Sequence, residues 1–213
     1  MVIEFRAIPK PRFLVILAAA LLISGCIQPE RGPSKASMHP VSEAWKPDGI
    51  IGGSEYSWSM NLTSPQGYGQ RGGTVAVYWR NDAQTLYIAL KGQTRGWVAL
   101  GFEPSEWMKD ADMILGAVND GNVTVQDQYS AGNYGPHLPD TTLGGTDDIL
   151  EYGGREEGGY TTVEFKRRMN TGDSYDKAFA PGQTVKIIWA MADSDFGDVK
   201  HNVAHGEGVL TFQ

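Results

Sequence analysis

The chain has 213 residues, a length that fits one domain with flanking segments or two small domains. Its 41% apolar and 20% charged residues exclude a wholly disordered chain, and its net charge of -7 argues against a nucleic-acid-binding protein, which needs a basic surface. The 27 glycines favour a β protein with many tight turns, while the single cysteine excludes a disulfide framework, a four-thiolate zinc site and covalent haem attachment.

The first residues are typical of an export signal. Three basic residues precede an apolar run from Phe13 to Ile23, which is too short to cross about 30 Å of hydrocarbon as a permanent helix. The run leads into Leu22-Ile23-Ser24-Gly25-Cys26, which resembles a prokaryotic lipoprotein cleavage motif. We therefore predict a lipoprotein signal peptide at 1–25 and an extracytoplasmic product anchored by a lipid on Cys26. The alternative is an ordinary secretory signal.

Residues 26–48 contain Pro, Ser and Gly without hydrophobic periodicity, which predicts a flexible tether. One domain is then predicted at 49–213. Its hairpin turns are signalled by Asn81-Asp82-Ala83-Gln84 and by Asp120-Gly121. A long loop is predicted at 130–146, with single helical turns near 105–109 or 174–179.

Short strands at spacings near ten residues, without helical crossovers, predict an all-β antiparallel sandwich of about 9–11 strands, immunoglobulin-like in arrangement. The predicted strands cover residues 56–62, 74–80, 85–90, 97–102, 113–118, 122–129, 149–152, 160–168, 185–192 and 208–212.

Two consecutive segments resemble the DOMON domain family. They are Gly96-Trp97-Val98-Ala99-Leu100-Gly101-Phe102 and, after a short loop, Asp110-Ala111-Asp112-Met113-Ile114-Leu115-Gly116. The resemblance continues through residues 121–127, 163–167, 189–191 and 208–212. That family includes the N-terminal domain of dopamine β-monooxygenase and the cytochrome domain of cellobiose dehydrogenase. Some members bind haem b noncovalently and others bind none.

The resemblance to the cytochrome-type members implies two axial iron ligands. One is Met108, in the polar loop after the Gly96–Phe102 strand, and the other is His201, shortly before the last strand, with His205 as the fallback. A Met/His pair fills both axial sites and raises the reduction potential, which suits single-electron transfer. Read by itself, Met108 is more often core filler, and His201 in a loop is more often solvated.

Other residues are assigned to the pocket less directly. Met113 is predicted to lie in the core or to line the haem pocket, and Arg95 or Tyr134 to meet the haem propionates. Aromatic residues that can pack on the macrocycle are Trp97, Phe102, Trp107 and Tyr129. We predict solvated side chains for His39 and His137.

Five carboxylates near the same strand ends raise the question of a Ca²⁺ site, but no spacing matches a known calcium loop, so solvated turn residues are predicted instead. They are Asp110, Asp112, Asp193, Asp195 and Asp198. We find no hydrolytic motif of the G-x-S-x-G or H-E-x-x-H type.

Three functions remain open. The leading one is a membrane-anchored b-type cytochrome domain, not an enzyme, that exchanges single electrons with a redox partner protein or a membrane electron-transfer component. The second is a haem-free module that binds carbohydrate through exposed aromatics such as Trp45, Trp58 or Tyr134. The third is a structural or interaction domain without a small ligand.

Overall fold

The computed structural model describes residues 35–41, 43–67, 69–194 and 200–213. These residues form two antiparallel six-stranded sheets that pack face to face as a sandwich, which confirms the predicted fold class. The strands are β1 (Ser37–Met38), β2 (Trp58–Ser64), β3 (Gly73–Asn81), β4 (Thr85–Gly92), β5 (Val98–Phe102), β6 (Asp112–Asn119), β7 (Asn122–Ser130), β8 (His137–Pro139), β9 (Ile149–Glu157), β10 (Tyr160–Arg168), β11 (Thr184–Met191) and β12 (Ala204–Thr211). The first sheet has the order β1-β2-β3-β4-β10-β9 and the second has the order β12-β11-β5-β6-β7-β8.

Alternating apolar residues of both sheets form the core between them. In β3, Val75, Val77 and Trp79 point inward, while the residues between them are half-buried. On the facing sheet, β11 supplies Val185 and Ile187 to the same cluster. The alternation of apolar residues that predicted these strands therefore matches the alternation of buried side chains in the structure.

The second half of the segment predicted as a flexible tether, residues 26–48, contains ordered structure. Residues 37 and 38 form β1, which pairs with Trp58 and Ser59 of β2. Further on, the Trp45 indole N–H donates to the Tyr56 hydroxyl at 2.8 Å, and the ring meets Tyr87 edge-on at 5.3 Å. A two-residue edge strand is held by main-chain hydrogen bonds, which leave no hydrophobic pattern in the sequence.

The predicted loop at 130–146 also contains regular structure. It includes β8, which pairs with the end of β7, and the single-turn helix α1 (Asp140–Leu143). Segments 105–109 and 174–179 both lie within the described residues, and neither is helical. In the described part of the chain, no helix is long and apolar enough to cross a membrane. The predicted signal peptide and Cys26 lie outside the described residues.

Candidate functional site

The outer face of the second sheet is unusual because it is apolar where it faces away from the core. β5 is buried along its whole length, and β6 is buried except at its last residue. An antiparallel sheet that faces water on one side normally alternates apolar and polar residues. Here the outward-facing residues instead form a second apolar cluster with Trp97 and Met113 among its members. An apolar outward face of this kind marks a surface that binds a ligand or a partner.

Strand register arranges the outward-facing residues in two rows. In the first row, Ala99 of β5 lies between Ala190 of β11 and Leu115 of β6. In the second row, Gly101 lies between Ile188 and Met113. These six residues line one cavity of about 310 Å³ and form its floor.

Small side chains on three of the floor residues leave free space above the sheet. At Gly101 a Cβ atom would lie 2.8 Å from Cγ1 of Ile188, so any larger residue there would displace the neighbouring side chain. Alanine at positions 99 and 190 leaves similar room above the sheet. The floor therefore leaves room for an apolar group above these small residues.

Met108 lines the same cavity from the loop that joins β5 to β6. The loop is held by a hydrogen bond from the Met108 main-chain N–H to the Asn133 carbonyl at 3.3 Å. It is also held at Asp110, whose carboxylate accepts hydrogen bonds from the Ser105 and Tyr129 hydroxyls. These two hydrogen bonds, Ser105 first, hold the pKa of Asp110 below its usual range. The half-buried thioether of Met108 is thus positioned by a fixed loop.

Two imidazoles line the cavity beside β11. His205 lies at the start of β12 and pairs with Ala190, which places its side chain on the same face as the first floor row. His201 precedes β12, and the centroids of the two rings are 4.5 Å apart. Burial, followed by the neighbouring His205, lowers the pKa of His201. Both imidazoles therefore face the cavity that Met108 also lines.

Sequence reasoning missed the residue that connects the two imidazoles. Gln70, in the loop before β3, is 9% exposed, and its side-chain amide contacts Nδ1 of both rings. It was missed because a glutamine in a glycine-rich loop carries no periodic or motif signal.

His137 was predicted to be solvated, but it is half-buried and lines the cavity. Its Nδ1 lies 2.6 Å from Oε1 of Gln128, and burial lowers its pKa.

The remaining pocket assignments divide into those that line the cavity and those that do not. Trp97, Trp107, Met113 and Tyr134 line it. Arg95 does not line it and instead donates its main-chain N–H to Asp193. Phe102 points to the other side of β5 into the core, and Tyr129 stacks edge-on against Tyr175. Phe102 does not reach the site because of its strand parity, and Tyr129 does not line the cavity because its ring packs against Tyr175.

Exposed aromatic rings form the rim of the cavity. Trp107 is 63% exposed and Tyr134 is 74% exposed, with their ring centroids 5.8 Å apart. Trp45 and Trp58, the other aromatics considered for sugar stacking, are half-buried, and Trp58 stacks on Trp79. Two of the exposed aromatic side chains, those of Trp107 and Tyr134, therefore lie at the mouth of the cavity.

The carboxylates near the site are not uniformly solvated, which corrects the sequence prediction. Asp112 is fully buried, and both of its oxygens accept hydrogen bonds from Nη1 of Arg167 at 2.9 Å. Asp193 forms an ion pair with Arg71 at 2.9 Å. Asp195 and Asp198 lie outside the described residues.

The buried Arg167 lies within a cluster of acids. Its Nη2 is 2.9 Å from Asp176, and single oxygens of Asp112, Asp127 and Asp176 lie within 4.8 Å of one another. Burial on its own lowers the pKa of Arg167, but the carboxylates of Asp112 and Asp176 more than offset this and raise it. Burial raises the pKa of Asp127 to about 8 and that of Asp140 to about 7. The cluster therefore holds one permanent cation and carboxyl groups that resist ionisation.

The raised pKa of Asp127 predicts that stability falls as pH rises. A carboxyl group whose pKa rises on folding from 3.8 to about 8 favours the folded state below about pH 4 and loses that contribution progressively up to about pH 8. In Asp127→Asn the group cannot ionise. We expect the free energy of unfolding in urea to decline less between pH 5 and pH 8 in this variant than in the wild type.

The control for this measurement is Asp147→Asn, because the Asp147 side chain is exposed. This control is expected to follow the wild-type pH profile. An Asp127→Asn profile parallel to that of the wild type would contradict the assignment of the pH dependence to this group.

Comparison with known proteins places this architecture in a family. The family model "DOMON domain" matches residues 71–192. DBH-like monooxygenase protein 1 of Mus musculus is 31% identical over 126 residues, covering 59% of this chain and 20% of that protein. MOXD1 homolog 1 of Drosophila melanogaster is 32% identical over 131 residues, covering 57% of this chain and 18% of that protein. The chain thus spans about a fifth of the length of these curated relatives.

Among solved structures, the cytochrome domain of Myriococcum thermophilum cellobiose dehydrogenase is similar with a TM-score of 0.47 and 14% identity, covering 73% of this chain and 83% of that one. The cytochrome b domain of pyranose dehydrogenase from Coprinopsis cinerea gives a TM-score of 0.47 and 11% identity, covering 65% and 76% of the two chains. The family match covers more than half of the chain and contains β5, β6 and the Met108 loop. The chain belongs to the DOMON domain family.

Proposed function

We propose that this domain binds haem b noncovalently on the outer face of its second sheet and exchanges single electrons with a redox partner. The observation that carries the proposal is that Met108 and the imidazoles of His201 and His205, far apart in the sequence, line the same apolar cavity. Thioether and imidazole are the axial ligand types of low-spin, electron-transferring haem proteins. The donor set and the apolar floor therefore both fit a haem group.

Each part of the site has a separate task. The floor rows around Ala99 and Gly101 would offer apolar contact to a bound macrocycle and exclude water from it. The fixed loop presents the Met108 sulfur, and the imidazole pair supplies a nitrogen ligand. When bound, haem supplies a reversible one-electron change at its iron. If a thioether and an imidazole both held the iron, no position would be left open for a substrate, so the domain would act in electron transfer and not as a catalyst.

We also propose that the domain works outside the cytoplasm, attached to the membrane by a lipid on Cys26. The support is the sequence motif Leu22–Cys26, with its preceding basic and apolar segments. The electron partner is then a protein or membrane component that reaches the exposed mouth of the cavity, where Trp107 and Tyr134 lie.

Replacing the thioether tests the proposal. The purified full-length protein, reconstituted with haemin, is expected to give a reducible low-spin spectrum. Met108→Leu keeps the volume of the side chain but removes the sulfur, so we expect a shift toward the high-spin spectrum and a lower reduction potential. Absorption spectra and potentiometric titration measure both effects.

The matched control is Met169→Leu, because Met169 lies in the core between the sheets. It is expected to keep the low-spin spectrum. A colourless wild type would contradict haem binding itself. Loss of the low-spin spectrum in Met113→Leu, with retention in Met108→Leu, would show that the wrong thioether has been assigned.

A second function is favoured by the exposed pair Trp107 and Tyr134. Aromatic rings beside a shallow cavity are suited to stacking on sugar rings, and their exposure of 63% and 74% leaves them available. Retention of colourless protein on a polysaccharide column, lost in Trp107→Ala, would favour a haem-free carbohydrate-binding module.

A further inference from the structure

The loop that contains Gln70 is bonded to residues near His201 and His205 and to a residue just after β11. The Gly72 main-chain N–H donates to the Val203 carbonyl at 3.0 Å, and the Arg71 guanidinium binds the Asp193 carboxylate. Gln70 itself is 9% exposed and pairs through its main chain with Gly67 in both directions. The main chain at Gln70 is therefore held in place on both sides of the residue.

The amide has a defined orientation because one of its neighbours can only accept a hydrogen bond. Nε2 of Gln70 lies 2.6 Å from the His201 main-chain carbonyl, so the nitrogen of the amide must face that carbonyl. The same nitrogen is 2.9 Å from Nδ1 of His201, while Oε1 is 2.9 Å from Nδ1 of His205. Nε2 also lies 2.6 Å from Nδ1 of His205, but it has only two hydrogens to give.

One assignment uses every polar atom of the amide. Nε2 donates to the carbonyl and to Nδ1 of His201, and Oε1 accepts a hydrogen bond from Nδ1–H of His205. A neutral imidazole carries one proton, so His205 then has an unprotonated Nε2 and His201 has a protonated one. Only an unprotonated nitrogen can bind a metal ion.

Strand geometry distinguishes the same two residues. His205 is on β12 opposite Ala190, in line with Ala99 and Leu115 across the cavity floor. Its ring thus stands on the ligand-binding face of a strand. His201 precedes β12, and its main-chain carbonyl is occupied by the contact to Gln70.

We propose that Gln70 is the positioning residue of this site and that it makes His205 the imidazole that would hold haem iron together with Met108. His201 is then the neighbour that fixes the amide. The proposal rests on the proposed haem-binding function for the role of His205. The hydrogen-bond assignment itself concerns this chain alone. Metal-binding histidines are commonly oriented through the nitrogen that does not bind the metal, which is the position Gln70 contacts.

The tautomers are tested in the haem-free protein. Long-range proton–nitrogen NMR of the histidine-labelled full-length chain is expected to show Nδ1–H for His205 and Nε2–H for His201. In Gln70→Leu, His205 loses its acceptor and is expected to change to the Nε2–H form that free imidazole prefers. Nε2–H at His205 in the wild type, or no change in Gln70→Leu, would overturn the assignment whether or not haem binds.

The ligand role is tested in the haem-loaded protein. We expect His205→Ala to lose the low-spin spectrum, and His201→Ala to keep two axial ligands while binding haem more weakly. Gln70→Leu is expected to weaken haem binding about 10- to 100-fold, the usual effect of losing the partner of a metal-binding histidine. Loss of the low-spin spectrum in His201→Ala with retention in His205→Ala would overturn the proposal.

A conservative variant separates positioning from a structural role. Gln70→Glu keeps an acceptor for Nδ1–H of His205, and its negative charge makes that imidazole a more basic ligand. We therefore expect a reduction potential below that of the wild type together with a retained low-spin spectrum. An unchanged potential would mean that residue 70 does not contact the ligand. A colourless wild type would refute the haem proposal alone, because the NMR result stands without haem.

Discussion

Arg167→Met is expected to remove a large part of the stability of the domain at neutral pH. Arg167 is fully buried, donates two hydrogen bonds to Asp112 and lies 2.9 Å from Asp176. Removing the cation leaves these carboxylates and Asp127 in a dry interior without a countercharge. Breaking a buried ion pair from one side costs about 3–5 kcal/mol, which is much of the roughly 5–15 kcal/mol that stabilises a typical domain. Urea unfolding followed by circular dichroism measures the loss.

The neighbouring Arg168 provides a matched control because its side chain is exposed. Arg168→Met is expected to change the free energy of unfolding by no more than about 0.5 kcal/mol. The stability lost in Arg167→Met should shrink between pH 8 and pH 5. Arg167 lowers the pKa of both Asp127 and Asp176, so without it these carboxyl groups take up protons more readily as the pH falls, and less uncompensated charge remains. Equal stability of the two arginine variants would contradict the role of Arg167 as the countercharge of the cluster.

Most of the sheet could be predicted because its strands carry side-chain patterns. The hairpin at Asp120-Gly121 joins β6 to β7, and the turn near Asp82 joins β3 to β4, both as expected. β1 and β8 could not be predicted in this way. Each is two or three residues long at a sheet edge, where the main-chain hydrogen bonds of its neighbour, and not side-chain burial, determine the structure.

The cavity floor could have been predicted from the pattern of side-chain sizes in β5. In Val98-Ala99-Leu100-Gly101-Phe102 the large residues alternate with small ones, and none is polar. The large residues fill the core, and the small ones form a floor on the other face. Gln70 had no such signal, because its position beside His201 and His205 depends on how a loop of the first sheet crosses the end of the second.

Ala190→Phe is expected to weaken the proposed haem binding without unfolding the domain. Ala190 lies on the floor between Ala99 and His205, and its side chain points away from the core. A phenyl ring there occupies the space above the sheet. If the added bulk costs bound haem about 1–3 kcal/mol, as overpacking does in protein interiors, affinity falls roughly 5- to 150-fold. Haemin titration followed by absorbance measures the affinity, and circular dichroism checks the fold.

Lys186→Phe is the control for this prediction because it adds the same ring to the same face of β11. Lys186 is exposed and pairs with Val209, and it is not among the residues that line the cavity. A phenyl ring at 186 is therefore expected to leave haem affinity near the wild-type value. Equal affinity of Ala190→Phe and Lys186→Phe would show that haem binds elsewhere on the domain. If Ala190→Phe alone loses pigment and both variants remain folded, the binding face is the floor formed by β5, β6 and β11.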